Sequence, residues 1–284
     1  MDGDIGDFLR SRRARIRPEE VGLASHGRRR VPGLRREEVA QLAGVSVDYY
    51  IRLEQGRGPG SPSRTQSGGV SDAVLDAIAR VLRLDDTEHT YLRTVARPRR
   101  GKKDRTPAPR VRPGVQVLLD GMDRMPAFVL GPRMDVLAWN TLADALSGFS
   151  LMPAAVRNIP RHVFLDPASR DLYPEWTDVA AQAVANLRVG SGRHGDDTEL
   201  AALVAELSVG CAEFGPMWAD HEVKECAYGV KRIRHPAAGL LTLPYETLAV
   251  PGEVDQTVVV YTPEPGSETA ERLALLGGWA TTGP

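Results

Sequence analysis

Two groups of side chains have the types and spacing to do chemistry. Val47, Asp48, Tyr49 and Arg52 fall on the outward side of a short helical pattern, whose Tyr50 and Leu53, three apart, face inward. Arginines stand close by in sequence, as Arg35 and Arg36 and as the run Arg28, Arg29 and Arg30. Cations beside a polar helical face suit a polyanion, because neutralising phosphates releases counterions. The second group is aromatic: Phe128, Trp139, Phe149, Phe164, Trp176, Phe214 and Trp218. Asn140, Arg157, Asn158, His221 and His235 are interspersed with it. An apolar pocket with a few convergent polar groups has this composition, and so does a packed core. Nucleophilic chemistry has no signature, since GxSxG, HExxH and a Gly-rich phosphate loop are all absent. No catalytic residue is nominated and no enzyme is expected. Cys211 and Cys226 form neither a CxxC pair nor a Cys/His cluster, so no metal, cofactor or disulfide is expected either.

The first group is positioned by residues 34–56, LRREEVAQLAGVSVDYYIRLEQG. Arg35, Arg36, Glu37 and Glu38 open a helix backed by Val39, Ala40, Leu42 and Ala43. Gly44 breaks it where a positive φ is needed, and Ser46 caps the next helix. This is a helix-turn-helix pattern, whose second helix enters the DNA major groove; an ordinary helical hairpin is the plainer alternative. Residues 5–16 predict a preceding helix with Phe8 and Leu9 inward and Arg10, Arg12, Arg13 and Arg15 outward. Residues 18–32 read as an extended connection. Residues 70–84 and 86–95 predict two more helices, completing five.

The net charge of −1 conceals an asymmetry. Residues 1–112 hold 24 Lys+Arg and 15 Asp+Glu, a balance of +9, which leaves 36 − 24 = 12 basic and 37 − 15 = 22 acidic residues beyond. The basic part suits DNA and the acidic part a different task. No apolar run approaches the roughly 20 residues that cross a bilayer, and MDGDIGDFLR has no apolar signal core, so a cytoplasmic, nucleoid-associated protein is expected. Residues 57–69 are rich in Gly, Ser and Pro. Residues 97–113 carry prolines and charges with little that is apolar, and read as a linker. The expected organisation is a DNA-binding domain at 1–96, the linker at 97–113 and a second domain at 114–284.

In the second domain, residues 127–131 and 136–140 predict paired strands. Helices follow over 140–146, 176–187, 198–207 and 211–221. Strands over 228–234, 240–243 and 257–262 precede a helix over 268–278. That order gives an antiparallel α+β domain with its helices on one side.

REEVAQLAGVSVDYYIRLEQG resembles the Xre-type helix-turn-helix of bacterial repressors. GRRRVPGLRREEVAQLAGVSVDYYIRLEQGR resembles the signature of the MmyB-like regulators of actinobacteria. PAFVLGPRMDVLAWNTLADAL, RNIPRHVFLDP, EFGPMWADHEV and GVKRIRHPAAGLLTL resemble the same family's ligand-binding region, in the expected order. The resemblance implies a multidomain protein: an all-α, lambda-repressor-like, five-helix domain followed by an α+β PAS-like domain that accepts an apolar small molecule or fatty-acid effector. It implies a homodimer on a double-stranded DNA operator, with no membrane partner. Residues 60–69 stand out as a small insertion relative to the family.

The same resemblance places Ser46, Val47, Asp48, Tyr49 and Arg52 on the recognition helix. There Arg52 suits guanine, Tyr49 a thymine methyl, and Asp48 a cytosine amine or a local cap. Arg35 and Arg36 suit phosphates, while Arg28, Arg29 and Arg30 suit the backbone or a minor groove, or form a solvated loop. The ligand-binding candidates are Phe128, Trp139, Asn140, Arg157, Asn158, Phe164, Phe214, Trp218, His221 and His235. Arg157 suits a carboxylate. Alternatively Arg157 and Asn158 brace their loop, His235 caps a turn, and the second domain is an interaction or dimerisation module without a ligand.

Overall fold

A computed structural model describes residues 3–23, 33–56, 70–96, 110–193, 197–223, 227–253 and 255–282. Arg28, Arg29 and Arg30, the insertion at 60–69 and most of the expected linker lie outside these. The chain divides into two compact units. The first is Met1–Lys102 together with two short later stretches, Ser191–Thr198 and Trp218–Lys224; the second is the remainder.

The first unit is helical: α1 (Gly3–Arg15), a 3-10 turn at Pro18–Val21, α2 (Arg36–Ala43), α3 (Val47–Glu54), α4 (Asp72–Val81) and α5 (Asp86–Ala96). Phe8, Leu9, Val39, Tyr50, Leu53, Leu75, Ile78 and Leu92 are buried as their spacing predicts. Phe8 meets Tyr91 edge to face at 5.0 Å. Arg12 overturns the expectation of an outward arginine: it is 3% exposed. Its Nε lies 2.8 Å from Glu88 Oε1, its Nη2 donates to the His221 carbonyl at 2.7 Å, and its guanidinium lies 4.9 Å from the Phe8 ring. Pairing makes the burial tolerable, yet burial still lowers its pKa, with Glu88 opposing. The 3-10 turn at Pro18–Val21 likewise replaces part of the expected extended connection; it has proline in its first turn and αL Gly22 at its end.

The second unit comprises α6 (Pro113–Asp120), β1 (Ala127–Leu130), β2 (Val136–Trp139), α7 (Thr141–Ser147), α8 (Ile159–Leu165), α9 (Ser169–Leu172), the bulk of α10 (Trp176–Arg193), α11 (Thr198–Gly210) and α12 (Phe214–Ala219), then β3 (Tyr228–His235), β4 (Gly239–Ala249), β5 (Thr257–Tyr261) and α13 (Glu268–Thr282). The five strands form one antiparallel sheet in the order β2-β1-β5-β4-β3. β4 runs past the expected stop at Leu243 because Pro244 is accommodated within it, paired with Val230. Helices α8 and α9 are additions to the sequence reading; Asn158 caps α8 and Pro160 sits in its first turn.

Strand alternation sorts the sheet's two faces. Ala127, Val129 and Val260 face α6, packing with Val115 and Leu119. That placement corrects the expectation of helices on one side only. Phe128, Lys231, Leu241, Leu243, Tyr245, Val259 and Tyr261 share the opposite, inner face by register.

Candidate functional site

The turn before α3 follows from three residues. Gly44 adopts φ 69°, letting its own N–H reach Gln41 O at 3.2 Å and Val45 N reach Ala40 O at 3.0 Å. Ser46 then accepts from Tyr49 N at 3.2 Å and starts α3. Ser46, Val47, Asp48 and Arg52 are exposed, and Tyr49 is half-buried. Burial raises the Tyr49 pKa, with Arg52 opposing. Among the described residues Arg52 forms no ion pair or hydrogen bond with a protein group.

The far end of α3 is tied down by Glu54, whose carboxylate is wholly buried. It accepts from Arg13 Nη2 at 3.1 Å and Nε at 3.2 Å, and from Arg36 Nε at 2.9 Å. One carboxylate thereby joins α1, α2 and α3. Arg13 also donates to Leu34 O at 2.7 Å. Gly6 is required at the same joint, because a Cβ there would lie 2.2 Å from the Glu54 carbonyl oxygen. Of the two arginines expected at phosphates, Arg35 is exposed, whereas Arg36 is half-buried and held by Glu54. The sequence reading did not single out Glu54. Its position, one past the inward Leu53 at a helix end, was the available signal.

In the second unit the candidates separate. Phe128 meets Phe149 at 5.4 Å, and Phe149 meets Trp139 at 5.8 Å. Phe164 meets Trp176 at 5.8 Å and Phe214 at 5.0 Å, both edge to face. Trp176 Nε1 donates to Val163 O at 2.9 Å.

The polar candidates serve the chain itself. Asn140 caps α7: its Oδ1 accepts from Ala143 N and Ala127 N at 2.9 and 3.1 Å, and its Nδ2 donates to the carbonyls of Met125 and Met122 at 2.8 and 2.9 Å. Asn158 accepts from Arg161 N and donates to Arg133 O and Asp135 Oδ1. Arg157 donates from Nε to Phe149 O and from Nη2 to Met152 O, each at 2.8 Å, with its guanidinium 4.5 Å from the Trp139 ring. His235 Nδ1 accepts from the backbone of Ala237 and Ala238, which caps the β3–β4 turn. Burial lowers its pKa, with an Ala145 backbone hydrogen bond opposing. Trp218 and His221 group with the first unit.

The sequence reading named none of Lys231, Tyr245, Tyr261 or Tyr173. The first three lie on the inner face of the sheet, and period-two alternation along β3, β4 and β5 could have found them. Tyr173 follows α9, an element the pattern did not reveal.

A helical unit exposing a capped helix and a sheet unit with an aromatic inner face together make a ligand-sensing, DNA-binding transcription regulator. Residues 4–92 match a helix-turn-helix domain family, and residues 111–276 match the MmyB-like transcription regulator ligand binding domain. The chain belongs to the MmyB-like transcription regulators. No curated protein matches it. Among the described residues no helix is long and apolar enough to cross a membrane.

Proposed function

We propose that this is a one-component regulator of Xre type, in which the helical part at 1–96 reads operator DNA as a homodimer. A PAS-like domain at 114–284 beyond a linker at 97–113 binds an apolar small molecule, a fatty acid being the leading class. Helix α3 enters the major groove. Arg52 donates to a guanine edge, Tyr49 and Val47 contact apolar base surface, and Ser46 and Asp48 line the same approach. Arg35 holds phosphate; Arg36 adds to that field while bound to Glu54; Arg28, Arg29 and Arg30 supply backbone contacts. The observation that carries the reading is α3 itself, capped by Ser46, anchored by Glu54, and presenting an Arg52 with no hydrogen bond or ion pair among the described residues. The ligand's apolar body lies along Phe128 and Trp139, with Phe164 and Phe214 behind. A ligand changes operator affinity only to the extent that it binds one arrangement of the dimer better, and the coupling is reciprocal.

The test is a mobility-shift titration on an operator selected from random duplexes, at several salt concentrations. Arg52→Ala should weaken specific binding by about 1–3 kcal/mol and relax one base position. An Arg52→Ala protein that binds its operator like the wild type overturns the assignment of α3.

The second reading, a dimerisation module with no ligand, is favoured by one surface. Tyr228, Val230 and Leu248 are exposed on the outer face of β3 and β4. Isolated exposed apolar residues are ordinary, but a group on one sheet face marks an interface.

A further inference from the structure

Two stretches far along the chain belong to the helical first unit, Ser191–Thr198 and Trp218–Lys224. The residues that flank them, up to Gly190, over Glu199–Met217 and from Glu225 onward, belong to the second unit. The later stretch is seated on α1. Arg12 Nη2 donates to the His221 carbonyl at 2.7 Å, 209 positions away. Arg15, one turn on, donates from Nη2 to the Asp220 carboxylate at 3.0 Å and to the Asp220 carbonyl at 3.2 Å. Val223, in the same stretch, is buried. The earlier stretch is as close to α5: a Cβ on Gly192 would lie 2.5 Å from the Tyr91 ring and 3.3 Å from Val95.

The contact with Arg12 is demanding on both sides. The guanidinium is buried and shared with Glu88 of α5, so losing the His221 carbonyl would remove an acceptor from a buried charge. His221 itself takes φ 53°, a left-handed conformation that is costly for a residue with a Cβ. Its N–H reaches Trp218 O at 3.4 Å, closing the turn. Strained backbone of this kind persists where its surroundings hold it, and it recurs at switch segments. Here α1 supplies the bond: seated, the turn is held and Arg12 is satisfied; released, the turn relaxes and Arg12 loses an acceptor. Helix α1 is also what fixes α3. Arg13, next to Arg12, holds both oxygens of Glu54. The Arg13 carbonyl accepts from Leu34 N at 3.0 Å, and Arg13 Nη1 donates to Leu34 O at 2.7 Å. One helix therefore carries the returning stretch on Arg12 and Arg15 and the anchor of the DNA-reading helix on Arg13.

We propose that residues 218–223 are the element that couples effector to operator. Seated on Arg12 and Arg15, they hold α1 in the arrangement in which α3 reads DNA, and the effector changes operator affinity by shifting that seat. The inference rests on the ligand-sensing reading and names its route of transmission. The effector does this only by binding one of the two arrangements better, and operator binding must in turn shift the seat. Position between two sites is not coupling, so the experiment reads the coupling itself.

The experiment uses the full-length protein, an operator duplex selected from random sequences, and dodecanoate as the effector probe. Amide hydrogen exchange is read by mass spectrometry and operator affinity by mobility shift. In the wild type, operator should slow exchange at 218–223 as well as in α1 and α3. Arg12→Met combined with Glu88→Gln removes the buried charge pair together. It should abolish the operator's effect at 218–223 and weaken operator binding about fivefold or more. Asp220→Ala, a surface change, should weaken operator binding about twofold, in the range of an exposed ion pair. Dodecanoate should change the wild-type operator Kd about fivefold or more, and should change that of the double variant less than about 1.5-fold while still binding to it. Exchange at 218–223 that ignores the operator in the wild type overturns the proposal. A dodecanoate effect on operator Kd that survives both variants also overturns it and leaves ligand sensing standing. If dodecanoate does not bind the wild type, the fatty-acid reading falls, and exchange and operator affinity decide the seat by themselves. If melting curves show the double variant unfolded, Asp220→Ala decides: operator affinity equal to the wild type overturns the proposal.

Discussion

At the end of α3 the buried carboxylate of Glu54 accepts from Arg13 and Arg36, whereas the inner face of the sheet in the second unit is built of packed rings, Phe128 standing 6.0 Å from Tyr261 and Tyr261 6.4 Å from Tyr245. A satisfied buried charge holds a scaffold in one arrangement, whereas ring packing is less directional and is set by area and shape. The arginines divide in another way. Arg13, Arg36 and Arg157 are committed to protein oxygens, while Arg52 stands exposed with no hydrogen bond or ion pair among the described residues. In the first unit, then, unspent hydrogen-bonding capacity is a better guide to function than residue type alone.

Glu54 gives the strongest way to break this comparison. Glu54→Ala leaves Arg13 and Arg36 facing an emptied site, and should cost about 3 kcal/mol of stability, read by urea unfolding of the full chain. Operator binding should fall with it, because α3 loses its anchor to α1 and α2. A loss under about 1 kcal/mol, within the range of exposed ion pairs, would mean that the carboxylate is not what holds the helix.

Asn140 comes next. Asn140→Ala removes the α7 cap and the bonds to Met122, Met125 and Ala127, and should cost about 2 kcal/mol. Its effect on fatty-acid binding should be no larger than the unfolding explains. A loss of that binding in a fully folded Asn140→Ala protein would move Asn140 from the scaffold into the site.

The smallest effect sharpens the contrast most. Tyr261→Phe keeps the ring and removes a hydroxyl with no hydrogen bond among the described residues, so stability without ligand should change by less than about 0.5 kcal/mol. Destabilisation beyond about 1 kcal/mol in the lipid-free protein would show that this hydroxyl has a structural partner after all.

Much of the first unit was legible in the chain alone. Gly44, Ser46, Tyr50 and Leu53 determine α2, the turn and α3 through local rules: a positive φ, a cap three residues from its donor, and a helical period. The strands at 127–130, 136–139 and 257–261 were legible for the same kind of reason, because alternation and a bounding turn act over a few residues. Tertiary structure decided which charges were spent. Arg12 and Arg13 read as outward cations like Arg10, yet Arg12 is buried against Glu88, and Arg13 reaches Glu54, 41 positions away. Nothing local distinguishes the three, because a buried ion pair is a statement about two distant segments brought together. The inner face of the sheet is the same case on a larger scale. Lys231, Tyr245 and Tyr261 come from three strands and Tyr173 from a turn after a four-residue helix, and only strand register and the packing of that turn make neighbours of them.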